Sequence, residues 1–331
     1  MMLRNLTYTA ACLGAATLLT ACGGGDENSS VERTAQFNLA VSDAPVSDLD
    51  AVVACFSAVE LMTDGGPVQF DVGVGADIEP NDVCTDDQGN PVENTRGINL
   101  LEFTGSDSTD LLAGAEIDAG DYSQLRLVMD SASYVGRDTD DDGTIDETFA
   151  LTVPSNELKL DGFTADAGGN LFYTVEFDLR SSLVNPVGQD GYFLKPRGVR
   201  LVNNAEVGTV SGNVAETILI NNQCTVAPED TSTPVANVYL YQGADLGLDS
   251  LADMGGAEEN APYASTSVYF DGVDSYDYEI GFVATGDYTV AITCDDEADP
   301  EADDDVTFLQ AQNATVSNEA TVTVDFSAQA Q

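Results

Sequence analysis

The sequence predicts an all-β protein built as two β-sandwiches, and three observations carry that prediction. From Ala35 onward, short apolar runs rich in Val, Ile, Tyr and Phe alternate with Gly, Asp, Asn and Pro. No stretch keeps a helical apolar period, apart from a short helix expected near residues 110–115. Beyond residue 21, no apolar run approaches the ~20 residues of a membrane-spanning helix. Many short strands at regular spacing suit a sandwich or barrel.

Strands are expected at residues 36–42, 51–61, 68–72, 97–103, 122–130, 148–153, 171–179 and 192–202. Gly120-Asp121 before Tyr122 and Asp161-Gly162 after Leu160 are turn signals. A short link at 204–207 separates these strands from a second β region, so the expected modules are residues 35–203 and 204–331. Gly-Asp-Tyr occurs once in each, at Gly120 and Gly286, and predicts one turn-to-strand device used twice.

The first 21 residues carry one charge, Arg4, and an apolar segment from Leu6 to Ala21, the layout of a secretory signal. The segment ends Leu19-Thr20-Ala21-Cys22 and runs into Gly23-Gly24-Gly25. This resembles the lipobox of bacterial lipoproteins. The resemblance implies cleavage before Cys22, acyl chains such as palmitate on that residue, and attachment to a membrane through lipid. Gly rather than Asp at position 23 implies the outer membrane, by similarity to enterobacterial sorting. Residues 22–34 read as a flexible polar tether.

Charge sets limits on partners. The chain carries 58 acidic and 10 basic residues, a formal net charge of −48, and residues 201–331 hold 24 of the acids and no Lys or Arg. Nucleic acid and anionic lipid surfaces would be repelled. Disorder is opposed by 43% apolar content in strand-like runs. With no His and no Trp, the chain lacks the commonest general base and transition-metal ligand.

Besides Cys12 and Cys22 there are four cysteines, Cys55, Cys84, Cys224 and Cys294. In an exported chain they predict disulfides, with three connectivities open. Cys55–Cys84 with Cys224–Cys294 is favoured, because each then closes within one module. Zinc is disfavoured by the absence of a C-x-x-C spacing.

Several blocks occur in order: Val41-Ser42-Asp43-Ala44-Pro45; Asp50-Ala51-Val52-Val53; Ala58-Val59-Glu60-Leu61; Ala119-Gly120-Asp121-Tyr122; Leu125-Arg126-Leu127; Phe177-Asp178-Leu179-Arg180; and Tyr192-Phe193-Leu194-Lys195-Pro196 before Arg200-Leu201-Val202. Together they resemble a bacterial lipoprotein domain of unknown function, DUF4382, over about residues 36–203. The resemblance implies an envelope location and a sandwich fold, and brings no activity. Its basic residues, Arg126, Arg180, Lys195, Arg197 and Arg200, could form an anion-binding patch; pairing with neighbours such as Asp178 and Asp130 is the favoured expectation. Asp43, Asp48 and Asp50 are expected to form turns. The second region, with Gly208-Thr209-Val210-Ser211-Gly212, Pro234-Val235 and Gly286-Asp287-Tyr288, is similar to transthyretin-like or carboxypeptidase-regulatory-like sandwiches, which implies a spacer or stabiliser.

The sharpest local signal is Asp138-Thr139-Asp140-Asp141-Asp142-Gly143-Thr144-Ile145-Asp146-Glu147. Alternating carboxylates before a Gly suit Ca2+, which takes six to eight oxygen ligands at ~2.3 to 2.6 Å. Asp138, Asp140 and Asp142 would ligate by side chain, Thr144 by its carbonyl, and Asp146 directly or through water. Phe149 stands where an EF-hand needs a bidentate Glu, so a calcium-bound hairpin tip is expected, with Glu147 a substitute ligand. The acidic run 295–305 has irregular spacing and reads as a charged loop. No nucleophile–base pair or phosphate loop is present, so the chain reads as a non-catalytic binding, adhesion or structural protein of the envelope, with an envelope protein or glycan as partner. The alternatives are a carbohydrate- or anion-binding accessory module, and a carboxylate-pair glycoside hydrolase such as one using Glu176 and Asp178.

Overall fold

The strand Thr34–Ala44 shows how the first core is built. Phe37, Leu39 and Val41 alternate along it and are completely buried. In a pleated strand this puts all three on one face. The strand lies parallel to Asn170–Asp178 and antiparallel to Thr109–Asp118, in a four-stranded sheet edged by Val199–Asn203. The computed structural model that shows this describes residues 33–44, 46, 49–74, 78–140, 142–186, 188–256, 260–296, 300–302 and 306–327. The signal, Cys22 and nearly all of the tether, together with Asp48, Asp141 and parts of the 295–305 run, lie outside the described residues.

A larger sheet faces the first, centred on the long strand Ala51–Thr63, which pairs with Gly66–Asp71, Arg96–Asn99, Gln124–Met129 and Tyr134–Arg137. Val52, Ala54, Phe56, Val59 and Leu61 from this strand meet Phe37, Leu39, Val41, Val175 and Phe177 in one core. Phe37 stacks on Phe163 at 4.9 Å between ring centroids. Residues 110–115 are not helical: they lie in the strand Thr109–Asp118, where Leu112, Ala115 and Ile117 are buried against Thr34–Ala44. The expected 192–202 strand is two pieces, Tyr192–Leu194 and Val199–Asn203, interrupted at Pro196, which has no N–H for a ladder.

After a single 3-10 turn at Asn204–Glu206, the chain enters a seven-stranded sheet. Ala264–Phe270 belongs to both halves of this sheet. It pairs with Ala236–Gln242 along five residues and with Tyr276–Ala284 at only Tyr269 and Phe270, so the sheet folds over into two layers. Val210 and Ile280 from one layer share a core with Val238, Val290, Ile292 and Val316 from the other. The repeated Gly-Asp-Tyr works alike in both regions: Tyr122 donates to the Asp118 carbonyl at 2.7 Å and Tyr288 to the Ala284 carbonyl at 2.8 Å. Disulfides join Cys55 to Cys84 and Cys224 to Cys294.

The described residues from Arg33 onward form one compact unit, in which the two sheet systems meet along a polar seam. The approach is close. Any Cβ on Gly281 would lie 2.0 Å from the carbonyl oxygen of Gly105, so this contact needs glycine.

Candidate functional site

The acidic loop is the tip of a β-hairpin. Tyr134–Arg137 pairs antiparallel with Glu147–Thr152, Arg137 opposite Glu147, and the Asp146 N–H donates to the Arg137 carbonyl at 2.9 Å. Gly143, at φ +86°, takes the left-handed conformation that turns the chain at the tip. Ile145 anchors the far side, packing with Ala51, Val53 and the Cys55–Cys84 disulfide in a satellite core.

Within this frame Asp138 organises the loop. Its carboxylate accepts the N–H groups of Asp140 and Asp142, each at 3.3 Å, and of Gly143 at 2.6 Å. Carboxylate oxygens of Asp138, Asp140 and Asp146 all lie within 4.8 Å of one another. That spacing suits one hard cation bound by several oxygens. The expected ligands Asp142 and Glu147 are not in this group. Asp142 accepts the Thr144 N–H at 2.9 Å, and Glu147 begins the returning strand. Asp146 also accepts the N–H and hydroxyl of Thr139, at 2.8 and 2.7 Å. Asp50 joins the site from a distant loop, accepting the Asp138 N–H at 2.7 Å.

Asp50, Arg137, Asp138 and Thr139 line a cleft of about 930 Å³ together with Asp230, Ser232 and Tyr269. A second cleft, about 570 Å³, shares Thr104 and Tyr269 and carries hydroxyl, amide and carboxylate groups of Ser211, Asn213, Asp277 and Glu279. Both open along the seam.

The seam itself is held by polar contacts. The Arg180 guanidinium donates to Asn237 Oδ1 at 2.7 Å and to the Tyr239 hydroxyl at 3.3 Å, and lies over the Tyr239 ring. Arg200 donates to the Tyr263 carbonyl at 2.6 Å and stacks on that ring, 4.5 Å from its centroid. The Asp178 carboxylate accepts the Ser265 N–H at 2.8 Å, and Glu279 accepts the Ser106 N–H at 2.8 Å. Three carboxylates are buried here: Asp43 at 0% exposure, and Glu176 and Asp178 at 2% each. Burial raises all three. Asp43 is raised further by the charges of Glu176 and Asp178, whereas Arg200 opposes the rise at Glu176, which is pushed up to about 8, and Arg200 and Arg180 oppose it at Asp178.

Residues 34–196 match the family described as domain of unknown function, DUF4382. No curated protein matches the chain. Among solved structures, it aligns with a leucine-rich repeat protein of Bacteroides thetaiotaomicron at 12% identity and TM-score 0.19, covering 89% of this chain and 26% of that one. A fimbrial protein of Bacteroides ovatus aligns at 11% and 0.17, covering 89% and 49%, and the major pilin subunit of Bacillus cereus at 8% and 0.19, covering 88% and 69%. The chain thus spans about a quarter of the first of these proteins and half of the second.

The DUF4382 match ends at Pro196, so the Arg200-Leu201-Val202 block falls outside it. Its basic residues do not form one open anion patch. Arg126 pairs with Glu157 at 3.3 Å and Glu60 at 3.8 Å, Lys195 with Glu301, and Arg180 and Arg200 cross the seam. Arg197 lines a small cavity of about 120 Å³ with Asp178 and Arg200. Asp130 accepts the Ala132 N–H and holds a turn. Asp43 is not a turn residue, because it continues the inward alternation of Phe37, Leu39 and Val41 inside Thr34–Ala44. Glu176 and Asp178, the pair named for the hydrolase alternative, are each 2% exposed. Among the described residues no helix is long and apolar enough to cross a membrane.

Proposed function

We propose that this is a non-catalytic lipoprotein of the bacterial envelope, anchored through acylated Cys22 in the outer membrane and serving as a calcium-stabilised binding module. The observation that carries the calcium reading is the convergence of Asp138, Asp140 and Asp146 within 4.8 Å on a hairpin tip. Three carboxylates so close repel one another unless a cation neutralises them. The loop also forms part of the 930 Å³ cleft, so a bound ion would steady one wall of the surface offered to a partner. Extracellular calcium modules of this kind bind at about millimolar affinity. The absence of His and the sequestration of the four cysteines outside the N-terminal segment in disulfides support a binding role over catalysis.

The test is a melting curve with Ca2+ and with EDTA, on the wild type and on Asp138→Asn. Calcium should raise the wild-type midpoint and leave the variant unmoved. A wild-type midpoint indifferent to chelation sinks the metal reading. Intact-mass analysis of the protein from native membranes should show acylated Cys22 at the N-terminus, and an unprocessed, unacylated chain refutes the anchor. Binding to envelope proteins or glycans is scored by pull-down and array, each in Ca2+ and then in chelator.

A further inference from the structure

The buried carboxylates at the seam have an unusual set of partners. Neither oxygen of Asp43 has a hydrogen-bond partner of normal geometry, and neither does Glu176 Oε2. Among the described residues, no ion pair within 4.0 Å joins Asp43, Glu176 or Asp178 to Arg180 or Arg200. The two guanidiniums donate instead to neutral oxygens across the seam, at Asn237, Tyr239 and Tyr263. Yet Glu176 and Arg200 are direct partners in the register of Asn170–Asp178 with Val199–Asn203. An ionised, unpaired carboxylate in such a place is costly, while a protonated one is tolerated.

We infer that Glu176, with Asp43 close by, is a proton-operated latch on the seam between the two sheet systems. Protonated, Glu176 leaves Arg200 to bind Tyr263 across the seam. Ionised, it draws Arg200 back to its own strand partner, water reaches the carboxylates, and the seam opens beside the two clefts. The groups facing this site are Asp43 from Thr34–Ala44, Asp178 from the Glu176 strand, Arg180 from the turn after it, Arg200 from the edge strand, and Tyr263 and Tyr269 from the C-terminal sheet. The raised titration of Glu176 fits this arrangement. A carboxyl that is protonated when the seam is closed and solvated when it is open makes opening easier as pH rises. The gain is about tenfold per pH unit from ~4.5 to ~8, then level.

Hydrogen exchange on the whole chain tests this with probes the seam provides. The Ser265 N–H, bonded to Asp178, and the Ser106 N–H, bonded to Glu279, both cross the seam. The Val290 and Ile292 amides lie deep in the C-terminal core and report global unfolding. After correction for base catalysis, the Ser265 and Ser106 amides should both exchange about a hundredfold faster at pH ~7.5 than at pH ~5.5, beyond any change in the core amides. In Glu176→Gln that excess should fall to the part that the raised Asp43 and Asp178 carboxyls still supply, and in Asp43→Asn it should shrink. Acceleration at Ser265 alone, a seam that follows the core amides at every pH, or an unchanged profile in Glu176→Gln overturns the latch. If the variants do not fold, the wild-type profile decides.

Discussion

Replacing Glu176 by Gln should stabilise the protein, and by an amount that depends on pH. The Glu176 carboxyl is pushed from its ordinary 4.5 to about 8, chiefly by burial, with Arg200 opposing. The gap is 8 − 4.5, about 3.5 pH units, and at ~1.36 kcal/mol per unit it corresponds to ~5 kcal/mol. The sign follows from proton binding. Between ~4.5 and ~8 the folded protein holds a proton that the unfolded chain has released, so stability is full below ~4.5 and falls as pH rises to ~8. Gln keeps the shape and cannot ionise, so the variant gains on the wild type across that window. Urea unfolding of both proteins at pH ~5 and pH ~8 measures it. The difference between variant and wild type should move in favour of Gln by several kcal/mol on going to the higher pH, and the comparison cancels the general repulsion of an acidic chain. A difference that does not change with pH refutes the assignment of a buried, neutral Glu176.

Other perturbations have separate readouts. Arg180→Ala leaves Asn237 and Tyr239 short of a buried donor and should cost ~3 to 5 kcal/mol in denaturant unfolding, whereas Arg180→Met, which refills the space, should cost clearly less. Phe37→Ala removes a fully buried ring stacked on Phe163 and should cost ~3 to 5 kcal/mol by the same assay. Opening the Cys224–Cys294 bridge, which closes a sequence separation of 70, should cost ~4 kcal/mol if it acts through the unfolded chain. Replacing Cys55 and Cys84 by Ala should weaken Ca2+ binding measured by calorimetry, because Ile145 anchors the acidic loop against that disulfide.

Much of the fold was legible because its cause is local. The strand Ala51–Thr63 announces itself by β-branched and apolar residues, and the hairpin around Asp138–Glu147 by turn residues between two such runs. The two disulfides formed as favoured. The failures also have local causes. Residues 110–115 hold Leu111, Leu112, Ala113 and Ala115, good helix formers, yet pairing with Thr34–Ala44 overrides that preference. Composition within six residues could not report a partner seventy residues away.

The site was half legible for a related reason. Asp138, Asp140 and Asp146 could be read because a cation loop is written in consecutive residues. Asp50 could not, since it arrives from another loop by folding. Asp43 is the instructive error. Its place beside Pro45 suggested a turn, but the alternation Phe37, Leu39, Val41 was already in the sequence and carries the next odd position inward. Strand period prevails over the neighbouring proline and places a buried carboxylate at that position. Once that is granted, the seam follows a single logic. The same segment that supplies buried acids, Glu176 to Asp178, supplies Arg180 two residues on, and the cations point away from those acids to neutral oxygens of the C-terminal sheet. That sheet belongs to a region with no Lys or Arg of its own, so every cation at the seam comes from the N-terminal side. An Arg180→Ala, Arg200→Ala double variant should therefore raise exchange at Ser265 and Ser106 at every pH, while Glu176→Gln in the same background should still flatten its rise with pH, because burial raises the Glu176 carboxyl and Arg200 only opposes the rise.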